Sequence, residues 1–199
     1  MTKIAIVYYS MYGHIRGLAQ GVKKGIEAAG SEAQLFQVSE TLPEEVLSKM
    51  GAPPKSDDPI ATAAKLAEYD GVIFGASARY GGLPAQLHAF LDSTGSLWQS
   101  GSLVGKPGAI FFSTANQAGG QESVAISAVK FFTHQGMVFV PLGYRDSNLF
   151  NNSEVHGGSP WGSGTIANGD GSRMPSKLEL DVAATQGKSF AEIAAKLSK

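Results

Sequence analysis

Three runs, "KIAIVYYS" from Lys3, "GVIFGAS" from Gly71 and "PGAIFFST" from Pro107, are apolar at nearly every position rather than at alternate ones. A strand with one face in water alternates apolar and polar residues, whereas a continuous apolar strand must be covered on both faces. Helices do that covering, and the intervening segments supply them. Ile15 to Ala29 has helical apolar spacing and stops at Gly30, and "PAQLHAFLDS" carries Pro84 at or just before its first turn. Gln121 to Thr133 and Leu178 to Leu197 share the helical pattern, while "EAQLFQV" and "GMVFVPLG" bring the strands to five. Strands alternating with helices predict one α/β domain over residues 1–199: a doubly wound five-stranded parallel sheet with right-handed crossovers.

Two segments depart from the alternation. Thr41 to Leu66 holds "PEEVLSKM", the Pro-rich "GAPPKSDDP" and "IATAAKLA", which reads as an inserted unit after the second strand. Leu142 to Ser176 is a long loop after the fifth strand, with six glycines from Gly157 to Gly171. Loops of that length in a compact domain are functional or disordered. His156 and Trp161 within it argue against disorder, and Val155, Trp161 and Ile166 on such loops suggest contacts between subunits.

Charge and composition exclude several classes. Sixteen basic and 17 acidic residues leave a net charge of −1, which offers no basic surface for nucleic acid or a membrane. There is no cysteine, hence no disulfide, thiolate nucleophile or Cys-ligated metal. No apolar run approaches the roughly 20 residues that cross a bilayer. The opening "MTKIAIVYYS" has neither a basic region nor a cleavage site, so the expectation is a cytoplasmic chain without membrane insertion.

Open parallel sheets bind ligands beyond the carboxyl ends of their strands. After the first, third and fourth strands come "SMYGHI", "SARYGG" and "STANQAGG", all rich in hydroxyls, amides and glycine. Backbone N–H groups and hydroxyls at a helix N-terminus can hold a single phosphate without a cation. A loop without lysine therefore suits a mononucleotide better than a triphosphate. Three other motifs lack their context. "GSLVGK" has only three residues between its glycines and Pro107 after the lysine; no strand precedes "GSGTIA" at Gly162; and "GASAR" around Ser77 has Arg79 where a nucleophile elbow closes on glycine.

Taken together, "KIAIVYYSMYGHI", "PAQLHAFLDSTGSLW", "GGQE", "GMVFVPLGY", "EVHGGSPWG" and "DGSRMPSKLEL" carry a resemblance. Over almost its whole length the chain resembles the flavodoxin-like NAD(P)H:quinone oxidoreductases of the WrbA type. The resemblance implies a flavodoxin-like fold, FMN without a metal, NADH or NADPH as electron donor, a quinone substrate and a homotetramer. It places a first FMN loop on Ser10, Met11, Tyr12, Gly13, His14 and Ile15, with Tyr12 also near the nicotinamide. A second falls on Ala78, Arg79 and Tyr80, and a third on Ser113, Thr114, Ala115, Asn116, Gln117 and Ala118, reaching Gly119. Trp98 matches the aromatic on the quinone side and His134 a histidine on the flavin side. The roles implied are charge stabilisation of the reduced flavin for Arg79, a flat wall for the quinone for Trp98 and a hydrogen bond to a quinone oxygen for His134. Two departures fall in the flavin loops: "ASARY" replaces the usual Thr-Pro-Thr-Arg-Phe, and "STAN" the usual Ser-Thr-Gly-Thr. At Ala78 a hydroxyl is lost, and the larger Tyr80 is a candidate to restore it. Two other classes share the fold, an electron-transfer flavodoxin and a non-catalytic scaffold with weak FMN binding. Shuttles steer onto partners with strongly charged faces, for which this charge balance is poor material.

Overall fold

The computed structural model describes residues 1–198. Its sheet is built from β1 (Lys3–Tyr8), β2 (Glu32–Gln37), β3 (Gly71–Ser77), β4 (Pro107–Thr114) and β5 (Val138–Phe139), all parallel, in the order β2-β1-β3-β4-β5. Burial follows the apolar runs: every residue of β4, and all but an end residue of β1 and β3, lies inside. On one face α1 (His14–Ala28) and α7 (Lys177–Leu197) cover Ile4, Ile6, Ile73 and Phe111. On the other, Ala5, Val7, Phe74 and Phe112 meet α4 (Ala85–Asp92), α5 (Gly95–Ser100) and α6 (Gln121–His134). Among the described residues no helix is long and apolar enough to cross a membrane.

The inserted unit carries two short helices, α2 (Glu44–Lys49) and α3 (Ala63–Ala67). Its chain extends the sheet edge, because Gln37 N donates to Pro59 O at 2.9 Å and Ala61 N to Gln37 O at 2.9 Å. Two carboxylates then tie it down. Asp58 accepts from the Tyr8 hydroxyl at 2.6 Å and Arg16 Nε at 2.9 Å. Glu40 accepts from the Tyr9 hydroxyl at 2.8 Å and Gln86 Nε2 at 2.9 Å, and pairs with Lys55 at 2.8 Å. Burial alone would raise the Glu40 carboxyl. Lys55, the amides of Leu42 and Thr41, and the Tyr9 hydroxyl outweigh burial and hold it at about 2. Burial pushes the Tyr8 phenol up to about 12, reinforced by its bond to Asp58. As a sequence Tyr8 and Tyr9 read only as strand residues; in the fold their hydroxyls are the anchors of the insert.

The fifth strand differs from the run "GMVFVPLG". Only Val138 and Phe139 pair with β4, opposite Pro107 and Gly108, and Pro141 has no N–H to continue the ladder. The chain leaves the sheet, passes a 3-10 turn at Ser147–Phe150, and returns as β6 (Gly164–Ile166), which pairs with Phe112, Ser113 and Thr114. The long glycine-rich segment follows β5, as expected, and carries a sixth strand, β6, that pairs with β4 beyond the end of β5. At Gly162 a Cβ would stand 2.0 Å from Ile110 O, so only glycine lets this chain close on β4. Ile166 is buried in β6, and Trp161 packs 5.9 Å from Phe139 within the same chain. Of the three apolar residues suggested for subunit contacts, Val155 alone remains exposed.

Helices α1 and α7 touch backbone to backbone. A Cβ at Gly25 would stand 1.9 Å from Ala184 O, and one at Gly187 2.0 Å from Val22 O. Overpacking of this kind typically costs about 1–3 kcal/mol. Gly25→Ala and Gly187→Ala should each lose at least that much stability in urea unfolding. Gly95→Ala, where no atom lies within 4 Å, should stay within about 0.5 kcal/mol of the parent. Glu40 generates a pH expectation. Its carboxyl falls from 4.5 to about 2 in the folded state, so its contribution is complete above pH 4.5 and is lost as the pH falls towards 2. That contribution is on the order of 3 kcal/mol at most. Glu40→Gln should be less stable than the parent at pH 7, with the gap closing between pH 4.5 and 2; a constant gap in unfolding midpoints would contradict this.

Candidate functional site

A cavity of about 400 Å³ opens at the carboxyl ends of β1, β3, β4 and β6. Ser10, Met11, Tyr12, His14 and Ile15 form its first wall. Gly13 adopts φ +92° at the start of α1, which turns the chain from strand to helix. Ser10 Oγ accepts from the amides of Gly13 at 3.1 Å and Arg16 at 3.3 Å. Its own proton is left to donate. The amides of His14 and Ile15 open the helix, where no intrahelical acceptor exists, and the helix dipole adds positive potential there. An anion is the natural occupant of such a corner. Tyr12 stands at the mouth, its hydroxyl 3.2 Å from Met50 O, so the inserted unit meets the rim.

The second wall is Ser77, Ala78 and Arg79. Arg79 Nη1 donates to Ala78 O at 2.9 Å and brings the wall's fixed positive charge. Tyr80 lies outside: the turn gives it φ +51° and leaves its side chain wholly exposed. The hydroxyl absent at Ala78 is therefore not restored by Tyr80. In the third wall Ser113, Thr114 and Ala115 face the cavity, while Asn116, Gln117, Ala118 and Gly119 run on as an exposed loop beyond it. Thr114 Oγ1 donates to Asn116 O at 2.9 Å and accepts from Gln121 Nε2 at 3.1 Å.

A fourth wall, Ala167 to Gly171, was not legible. It follows β6, a strand of three residues that is too short to show periodicity. Ala167 N donates to Thr114 O at 2.8 Å, and His14 Nε2 lies 3.1 Å from Gly171 O. A carbonyl only accepts, so that nitrogen carries the proton and the imidazole joins first wall to fourth. The base of the wall is Glu179, wholly buried at the first turn of α7. It accepts from the amides of Ser176, Gly157 and Ile166, from Thr165 Oγ1, and from Arg173 Nη1 at 2.9 Å. Asp170 faces the cavity with its carboxyl lowered by the Ser172 amide and hydroxyl.

Trp98 and His134 do not join this cavity within one chain. Gln121 at the start of α6 contacts Thr114 beside the cavity, and α6 then runs 14 residues, about 20 Å, to His134. Gly136 there accepts from Gly105 N, and Val138 pairs with Pro107, the first residue of β4. Gln135 Nε2 donates to Thr94 Oγ1 at 3.1 Å, which holds the start of Trp98's helix at the same end. Both residues sit at the amino end of the sheet, and both are exposed, Trp98 to 64%. Their place in the chain, after helices that run back down the sheet, accounts for this.

The sequence family described as NADPH-dependent FMN reductase matches residues 2–148. The chain is 54% identical over 198 residues to the minor allergen Alt a 7 of Alternaria alternata, covering 98% of this chain and 97% of that protein. It is 52% identical over 200 residues to the quinone-oxidoreductase QR2 of Triphysaria versicolor, covering 100% and 98%. Among solved structures, the flavodoxin WrbA-like protein of Agrobacterium tumefaciens has a TM-score of 0.68 at 21% identity, covering 98% of this chain and 99% of that one. At that identity the likeness establishes the flavodoxin-like fold.

Proposed function

The chain belongs to the family of NADPH-dependent FMN reductases, and we propose that it transfers two electrons from NADH or NADPH to a quinone through one non-covalently held FMN per subunit. The observation that carries the reading is the corner where α1 begins: amides and a serine hydroxyl turned into a cavity whose lining holds no lysine. That chemistry fits one phosphate. An unpartnered Ser77 hydroxyl, sealed from solvent in the second wall, fits a polar ligand as well. The quinone substrate is supported by the name of QR2, a relative at 52% identity. A bound FMN would supply the two-electron chemistry, as hydride acceptor from the nicotinamide and hydride donor to the quinone, with the second proton of the hydroquinone coming from solvent.

The chain's own residues hold and tune. Ser10 and the amides of His14 and Ile15 grip the phosphate. Ser113, Thr114 and Ala115 support the rest of the nucleotide from β4, and Arg79 offsets the negative charge that accompanies reduction. Tyr12, at the mouth, is placed to meet the nicotinamide and quinone in turn, a ping-pong cycle at one shared position. Trp98 and His134 serve a neighbouring subunit's cavity in a homotetramer. Trp98 supplies an apolar wall for the quinone, and His134 donates a hydrogen bond to its oxygen. The exposure of a large aromatic on a short surface helix supports that placement. The proposal is of a cytoplasmic enzyme.

Flavin titration is the direct test. One FMN should bind per chain, and at least about tenfold more tightly than riboflavin, since charge-assisted hydrogen bonds contribute about 1.5–3 kcal/mol each. Initial-rate lines for donor and quinone should run parallel. Riboflavin binding as tightly as FMN would remove the phosphate assignment. For the shared site, Trp98→Ala and Arg79→Ala oligomers should each be slow. Co-expressed mixtures should exceed both, because some cavities then combine an intact Arg79 with a neighbour's intact Trp98. A mixture no faster than the average of its parts would place Trp98 outside the reaction.

A further inference from the structure

We propose that Ser77 is a cofactor-holding residue, a second side-chain hydroxyl beside Ser10 at the phosphate end of the cavity; this rests on the FMN reading above. The register carries the placement. Tyr8, the last residue of β1, pairs with Gly75 on β3; Ser10 and Ser77 each follow two residues later in their own segments, and both line the same cavity. The strands that lead into them are neighbours, about 4.8 Å apart, so the two hydroxyls stand on adjoining walls of that cavity. On its other side Ser77 pairs with Ser113. The backbone around it is committed, since Ala78 N donates to Ser113 O at 2.8 Å.

The side chain is not committed. Ser77 lines the cavity, yet its Oγ is closed to solvent and has no hydrogen-bond partner. A buried hydroxyl left unpaired is unfavourable, and the empty protein would do better with alanine there. A serine hydroxyl swings between staggered wells about a single torsion, so one rotation turns the same oxygen towards an occupant. Its proton would then meet an anionic oxygen, the stronger class of hydrogen bond. No other side-chain hydroxyl of this wall competes, because Ala78 has none and Tyr80 stands outside. Ser10 Oγ already accepts from two amides and is held with its proton outward. Together the two serines give the phosphate two hydroxyl donors from neighbouring strands in addition to the amides of α1.

The experiment is a fluorescence titration of flavin-free protein with FMN and with riboflavin, for the parent and Ser77→Ala, together with thermal unfolding of both flavin-free proteins. Ser77→Ala should weaken FMN about fivefold or more, consistent with loss of one charge-assisted hydrogen bond, and leave riboflavin within about twofold. The flavin-free variant should be at least as stable as the parent, a combination that a purely structural serine would not produce. FMN affinity within about twofold of the parent would overturn the proposal while leaving the FMN reading intact. Equal losses for FMN and riboflavin would overturn the phosphate contact. A parent that binds neither flavin would remove both readings at once.

Discussion

The carboxylate of Glu179 holds together the half of the site that lies farthest from β1. It is wholly buried and it accepts from three amides, a threonine hydroxyl and a guanidinium. A buried charge is tolerated only when paired and hydrogen-bonded, and here the donors come from four separate stretches of the chain. Gly157 belongs to the long inserted segment, Thr165 and Ile166 to β6, Arg173 to the connection, and Ser176 to the cap of α7. Satisfying one carboxylate therefore fixes where β6 lies on β4. That in turn places Ala167 to Gly171 along the cavity. Arg173 adds bonds to Ile166 O at 2.6 Å and Val155 O at 3.0 Å, so the same ion pair holds the loop at both ends.

The opposite side of the cavity is held by the same kind of contact with other residues. Glu40 and Asp58 gather the inserted unit onto Tyr9 and Tyr8 at the end of β1. The unit reaches the rim, where Met50 meets Tyr12. Between these two anchored additions lies the bare parallel sheet, whose strand ends supply hydroxyls and amides. A neutral, hydroxyl-lined floor with one arginine at its edge suits a ligand that carries one phosphate and changes charge elsewhere. It suits a polyphosphate less well, which calls for more cationic charge than one arginine.

The position of Trp98 and His134 follows from chain direction. Each crossover helix of a doubly wound sheet starts beside the strand ends that bind ligand and finishes at the far end. His134, at the finish of α6, and Trp98, on α5 after the end of α4, are thus removed from their own cavity by the length of a helix. The bond between Gln135 and Thr94 keeps the two elements that carry them side by side at that end.

What the sequence by itself determined was the sheet and three of the four walls. Continuous apolar strands leave no choice but helices on both faces, and the polar loops at Ser10, Ala78 and Ser113 then fall at one end by topology alone. Local chemistry also marked the start of α1, because one glycine among hydroxyls has few other uses after a buried strand. Only the tertiary structure decided the rest. β6 has three residues and no period of its own; its place is set by Glu179 and by β4, more than 50 residues earlier in the chain. The roles of Tyr8 and Tyr9 depend on carboxylates 50 and 31 residues away, respectively. That Tyr80 turned outward rested on a turn with positive φ there, which no pattern in "ASARY" announces. Periodicity reports which residues must leave water. It does not report which distant polar group will meet them when they do.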